Sequence, residues 1–376
     1  MTKTGEPTDT DQTSLPTADV AQLQTLEEFG WKEHFQSQIS LDEMDEVRPV
    51  RISAVHRGHL DVIAPYYRRR IPSFGSRSPL AEENDRPVVG DWVLIDRATH
   101  VPSRLLDRLS VFRRKAPGKA RKVQLLAANI DTVFIVTSCN LEFSPARLER
   151  YLTLAHESSA YPVVVLTKTD LCNNVDEYVS QAKELGSDLI IELVNSKDAT
   201  STQVLLPWCT KGQTVALLGS SGVGKSTIVN TLIGDQSQRT GEIREIDSRG
   251  RHTTSGRSLH LMHSGGWLVD TPGMRELQIL DSEKGIAELF NDIEDLIANC
   301  KFSNCAHISE PGCAIQKAIE SGDLDLVRWD RFEKLRIEDM QNSQTIAQRH
   351  ENNRVFNKVI KIALAEKRDR YRDGDL

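Results

Sequence analysis

At 376 residues the chain is too long for one ordinary domain, and its 39% hydrophobic residues are enough to build real cores. No stretch approaches the roughly eighteen apolar residues of a membrane span, and no basic start precedes an apolar run. That pattern excludes a spanning or secreted reading and leads us to expect a cytoplasmic protein. The net charge of −7 is unevenly spread: residues 1–50 carry 3 Lys and Arg against 11 Asp and Glu, whereas residues 51–123 carry 16 against 7.

In chain order, residues 1–45 read as an acidic disordered tail, because the first twenty are rich in Thr, Asp and Pro and poor in large apolar side chains. Short β-type runs follow at 50–55, 60–63, 88–95 and 109–112. Several such strands in succession predict an OB-type β-barrel over 46–115. Arg68, Arg69 and Arg70, with Arg113, Arg114 and Lys115, stand near Tyr66, Tyr67, Phe74 and Trp92. Cationic groups that neutralise phosphates beside rings that stack on bases point to RNA binding, against the plainer alternative of a solvated barrel with core aromatics. Residues 116–124 read as a basic linker into a domain spanning 125–280.

That central domain holds three motifs, each at the end of an apolar strand. Thr167, Lys168, Thr169 and Asp170 come first. Gly219, Ser220, Ser221, Gly222, Val223, Gly224, Lys225, Ser226 and Thr227 come second and fit GxxxxGK[ST], between a strand at 215–218 and a helix at 227–233. Asp270, Thr271, Pro272 and Gly273 come last, after a short strand at 266–269. Glycines let backbone N–H groups approach a phosphate, Lys225 supplies charge, Ser226 and Asp270 suit Mg2+, and the Gly273 amide suits a third phosphate. The Asp170 carboxylate can accept both the ring N–H and the exocyclic amine of guanine, so GTP and GDP are expected over adenine nucleotides. Lys168 would lie along the base, and Asn195 and Ser196, after a strand at 188–194, would offer amides to the base carbonyl. Thr167 stands where such motifs usually carry Asn. A base motif ahead of the phosphate loop makes this a circularly permuted P-loop GTPase arrangement.

Downstream, Cys300, Cys305, His307 and Cys313 form a closed Cys3His set, the ligand count of one structural Zn2+, against the alternative of buried reduced thiols. Apolar positions at 286, 289, 290, 293 and 296 predict a helix before it. Two further helices are expected around 326–335 and 355–363, giving a mostly helical zinc-binding domain over 281–376. The whole chain is thus expected to be multidomain α/β.

Together, the basic barrel, TKTD, GSSGVGKST, DTPG, the segment from Gly250 to Thr254 and the Cys-x4-Cys-x-His-x5-Cys knuckle resemble the small ribosomal subunit-dependent GTPase A family, RsgA or YjeQ. The resemblance covers nearly everything after residue 45. It implies a late-acting GTP hydrolase that matures the small ribosomal subunit, binds it through its rRNA and is stimulated by the subunit; a monomer is expected. It also makes His252 the candidate to orient the attacking water, since Met274 replaces the usual glutamine, and makes Thr253 or Thr254 a Mg2+ ligand. A rival reading is an RNA-binding scaffold that uses GTP as a regulatory ligand.

Overall fold

The computed structural model describes residues 23–74, 86–115, 123–234, 257–270 and 281–343, except 187, 196, 199 and 309. The basic region folds as an antiparallel sheet of β1 (Val47–His56), β2 (His59–Ala64), β3 (Tyr67–Pro72), β4 (Trp92–Asp96) and β5 (Pro102–Leu105). β1 is long enough to serve two neighbours, pairing with β4 through 47–51 and with β2 through 51–56. The hydrogen-bonded path runs β3-β2-β1-β4-β5, and among the described residues no pairing of β3 with β5 closes it into a barrel. Val50, Ile52, Leu60, Val62, Ile71 and Val93 fill its core.

β6 (Val111–Lys115) and β7 (Val123–Ala128) form a separate antiparallel ribbon, Lys115 facing Val123. The expected linker of 116–124 therefore needs correction: Val123 and Gln124 are paired strand, and 116–122 lie outside the described residues.

The central unit is built on β8 (Thr132–Ser138), β9 (Tyr161–Thr167), β10 (Ile190–Val194), β11 (Thr214–Leu218), β12 (Ser258–Leu261) and β13 (Trp267–Asp270). Their order is β10-β9-β8-β11-β13-β12, parallel except for β12. β8 is buried at every position, as expected of a strand covered on both faces. β1 continues the sheet from β12 through the pair Ala54 and Ser258, giving eleven strands in all.

The tail also proves shorter than expected. Residues 27–29 form a 3₁₀ turn and Glu33–Gln36 a short helix, α1. Phe29, Trp31 and Phe35 are buried, Trp31 packing edge-on against Trp92 at 4.8 Å between ring centroids. Trp92 is thereby a core ring and not a stacking surface. The few apolar residues after position 22 are enough to pin an otherwise acidic segment, and residues 1–22 lie outside the described residues.

The remaining helices are α2 (Pro145–Glu157), α3 (Val175–Lys183), α4 (Lys225–Ile233), α5 (Glu283–Leu289), α6 (Asn291–Ala298), α7 (Ala314–Ser321) and α8 (Leu326–Ser343). The single helix expected over 286–296 is two, because the chain leaves helical geometry at the fully buried Phe290. The helix expected at 355–363 lies outside the described residues. Among the described residues no helix is long and apolar enough to cross a membrane.

Candidate functional site

β9, β8, β11 and β13 run parallel, so their C-terminal ends gather at one edge of the sheet, where open α/β sheets place ligands. The phosphate loop leaves β11 there and enters α4. Gly219, Gly222 and Gly224 adopt φ of 144°, 78° and 100°. At Gly219 a Cβ would come within 2.2 Å of the Val136 carbonyl on β8, so no larger residue fits. Lys225 is buried and its ammonium donates to the carbonyls of Gly219, at 2.7 Å, and Ser220. The Ser226 hydroxyl lies on the exposed first turn of α4, and Asp270 ends β13, one strand away.

Base and phosphate motifs are joined directly. The Thr167 hydroxyl donates to the Val223 carbonyl of the phosphate loop at 2.6 Å and lies 3.1 Å from the Thr137 carbonyl. Thr167 is fully buried, and its hydroxyl links the base-motif strand to the phosphate loop. Lys168 takes a left-handed conformation, φ 59°, and caps the 3₁₀ turn Thr169–Leu171 on which Asp170 is exposed. Val194 pairs with Thr167, which brings Asn195 alongside, its backbone N–H donating to the Ser201 hydroxyl at 2.7 Å. Ser196, His252, Thr253, Thr254 and Gly273 lie outside the described residues.

Two groups near Asp270 escaped the sequence reading. The Ser258 hydroxyl and His260 Nε2 are 2.7 Å apart on β12, where Ser258 faces Asp270 across the ladder. Burial holds His260 below the ordinary histidine pKa, although the Asp270 carboxylate pulls it upward. Only the alternation of β12 could have signalled this, and four residues are too few to read it.

Of the expected RNA contacts, Arg70 makes a two-point ion pair with Asp61 at 2.7 and 3.2 Å. Arg113 pairs with Glu157 of α2 at 2.9 Å, and Arg114 donates to Gln124 at 3.0 Å. Burial lowers the Arg68 pKa, whereas Arg69 and Tyr66 are exposed. Lys115 faces Val123 at the open end of the ribbon.

Cys300, Cys305, His307 and Cys313 bring four ligand atoms within 4.8 Å of one another. A tetrahedral zinc with bonds of about 2.3 Å to sulfur holds its sulfurs about 3.8 Å apart, so the set fits that metal. Both Cys300 and Cys313 sulfurs lie 3.6 Å from His307 Nδ1. The N–H groups of Ala314 and Gln316 donate to Cys300 and Cys313 sulfur at 3.4 and 3.5 Å. For Cys300, burial opposes ionisation but the Ala314 and Ile315 amides prevail, and its pKa falls below the ordinary thiol value.

A phosphate loop on the third strand from one end of a mostly parallel sheet, with the base motif arriving earlier in the chain, defines a circularly permuted GTPase fold. Two solved structures share it: YloQ, described as a circularly permuted GTPase, at TM-score 0.56 and 24% identity over 81% of this chain and 99% of that one, and YjeQ from Thermotoga maritima, at TM-score 0.55 and 24% identity over 77% and 97%. The RsgA GTPase family model matches residues 105–280. "Small ribosomal subunit biogenesis GTPase RsgA 2" of Vibrio parahaemolyticus is 48% identical over 92% of this chain and 94% of its own length, and RsgA of Mesorhizobium japonicum is 45% identical over 88% and 94%. The chain belongs to the RsgA family of small ribosomal subunit biogenesis GTPases.

Proposed function

We propose that this protein hydrolyses GTP to GDP and phosphate as a maturation factor of the small ribosomal subunit, working as a cytoplasmic monomer. The observation that carries the reading is the phosphate loop with Lys225 seated in it, tied through Thr167 to the base motif, in a chain whose relatives are named for this activity. Residues 219–227 would cradle the phosphates, with Gly273 sensing the third. Lys168, Asp170, Asn195 and Ser196 would read guanine. Ser226, Asp270 and Thr253 or Thr254 would hold Mg2+, which when bound neutralises charge on the outer phosphates. His252 would orient the attacking water.

We further infer that the antiparallel sheet with its ribbon serves as an OB-type module on rRNA. Arg69 and the exposed Tyr66 are its best-presented groups, with Arg68, Arg70, Arg113, Arg114 and Lys115 adding field. The Cys3His cluster would hold one structural Zn2+. GTP turnover measured with and without purified small ribosomal subunits tests the whole reading. The expected result is slow basal turnover raised by the subunit; equal turnover in both would leave a nucleotide-binding scaffold.

A further inference from the structure

We propose that Arg147 is a positioning residue for hydrolysis, through which the C-terminal helices set the phosphate-loop lysine. The proposal rests on the GTP-hydrolysis reading above. Arg147 lies near the start of α2, and its Nη1 donates to the Ser220 hydroxyl at 2.7 Å and to Glu142 Oε2 at 3.2 Å. The carbonyl of the same Ser220 accepts from the Lys225 ammonium. One residue of the loop is therefore gripped from both sides, by α2 through its side chain and by Lys225 through its main chain. Gly219 precedes it and brings no side chain of its own, so the contacts from Arg147 and Lys225 fix where the Ser220 peptide rests.

Farther along, α2 is fixed to α8. Glu149 is fully buried; its Oε1 accepts from Arg331 Nε at 2.9 Å, its Oε2 lies 2.8 Å from the same nitrogen, and Arg328 stands 3.8 Å away. Arg150 makes a two-point pair with Glu338 at 2.7 and 2.5 Å. Losing Arg331 would strand the buried Glu149 charge, so this pair ties α2 to α8, and the partly exposed Arg150–Glu338 pair adds a second tie. Arg147 and Arg150 sit three residues apart, on adjacent positions of one helical face. A displacement of α8 thus reaches Ser220, and with it Lys225, within about one turn of helix. The metal-type cluster joins the same path, because His307 packs edge-on against Trp329 of α8 at 5.5 Å. Arg147 acts only through Ser220 and Lys225, which distinguishes it from a catalytic arginine.

The test uses the full chain with Mg2+ and compares single-turnover GTP hydrolysis with GDP affinity. Arg147→Ala should slow hydrolysis about tenfold while GDP affinity changes by less than about threefold, and Arg147→Lys should recover most of the rate. Ser220→Ala, which removes the acceptor without disturbing α2, should reproduce the loss. Glu338→Gln should slow the unaltered protein several-fold yet add nothing to Arg147→Ala, the non-additivity of residues on one path. Hydrolysis at the unaltered rate in both Arg147→Ala and Ser220→Ala would remove Arg147 from the mechanism. An equal Glu338→Gln effect in both backgrounds would break the link to α8. Turnover absent from the unaltered protein would overturn the hydrolysis reading and this proposal with it.

Discussion

Arg51 of β1 donates to the Thr214 hydroxyl at 2.8 Å, so one guanidinium joins the N-terminal sheet to the first residue of the strand that leads into the phosphate loop. The same side chain donates to the carbonyls of Phe29 at 2.5 Å and Asn129 at 3.2 Å. It is fully buried, and burial lowers its pKa to about 10, against the pull of Asp131 and Asp91, so it remains charged at neutral pH. Arg51→Met should strand several buried acceptors at once and cost about 3 kcal/mol of stability. Denaturation should show the loss, and hydrogen exchange should show residues 23–46 opening first. Unchanged exchange there would refute the joint.

Thr167→Val keeps the shape of the buried side chain but removes the donor to Val223. The freed carbonyl costs about 1.4 kcal/mol, and GDP should dissociate about tenfold faster. Asp170→Asn acts differently, on which base is held, and should move preference from guanine toward xanthine nucleotides in a competition assay. If both variants only lower affinity equally for every nucleotide, base reading does not reside in this turn.

Purified protein should contain one zinc, and Cys305→Ala should release it and loosen α6 and α7 while leaving the central sheet folded. Elemental analysis together with circular dichroism of the variant checks this. Zinc retained at full occupancy in the variant would take Cys305 out of the ligand set.

A pH dependence follows from Glu28, which accepts from Lys211 at 2.7 Å. Hydrogen bonds from Lys211 and from the Gln24 and Thr25 amides lower its pKa to about 2, from an ordinary 4.5. A lowered carboxyl pKa stabilises the fold above the unfolded value and loses that contribution as pH falls through the folded one. Attachment of residues 23–31 should therefore hold at pH 5 and weaken between about 4.5 and 2. Tryptophan fluorescence from Trp31 reads it, and Glu28→Gln should remove the transition.

The phosphate loop, β10, β13 and the cysteine cluster were legible in the sequence because each is local: a glycine pattern, an apolar run, a ligand spacing. Asp170 was legible for the same reason. Arg51, Arg147 and Glu149 were not, since their partners at 214, 220 and 331 lie far along the chain and no spacing reveals them. A composition also cannot show that Arg70 answers Asp61 or that Arg113 answers Glu157. The tail was overextended for the same reason. Its buried rings, Phe29, Trp31 and Phe35, are sparse in sequence but converge on Trp92 and Trp267.

The strand order carries a consequence for how the chain is made. β1 to β5 and β8 to β10 leave the translating ribosome first, yet they sit on opposite flanks of the sheet. β11, β12 and β13, which fill the middle, are synthesised last. Until residue 270 has emerged, β8 lacks its β11 neighbour and β1 lacks β12 beyond the stretch that β4 covers, a condition that invites mispairing. A ribosome pause or a chaperone footprint is therefore expected over 138–214, where a nascent chain must wait with two half-sheets for the keystone strands that unite them.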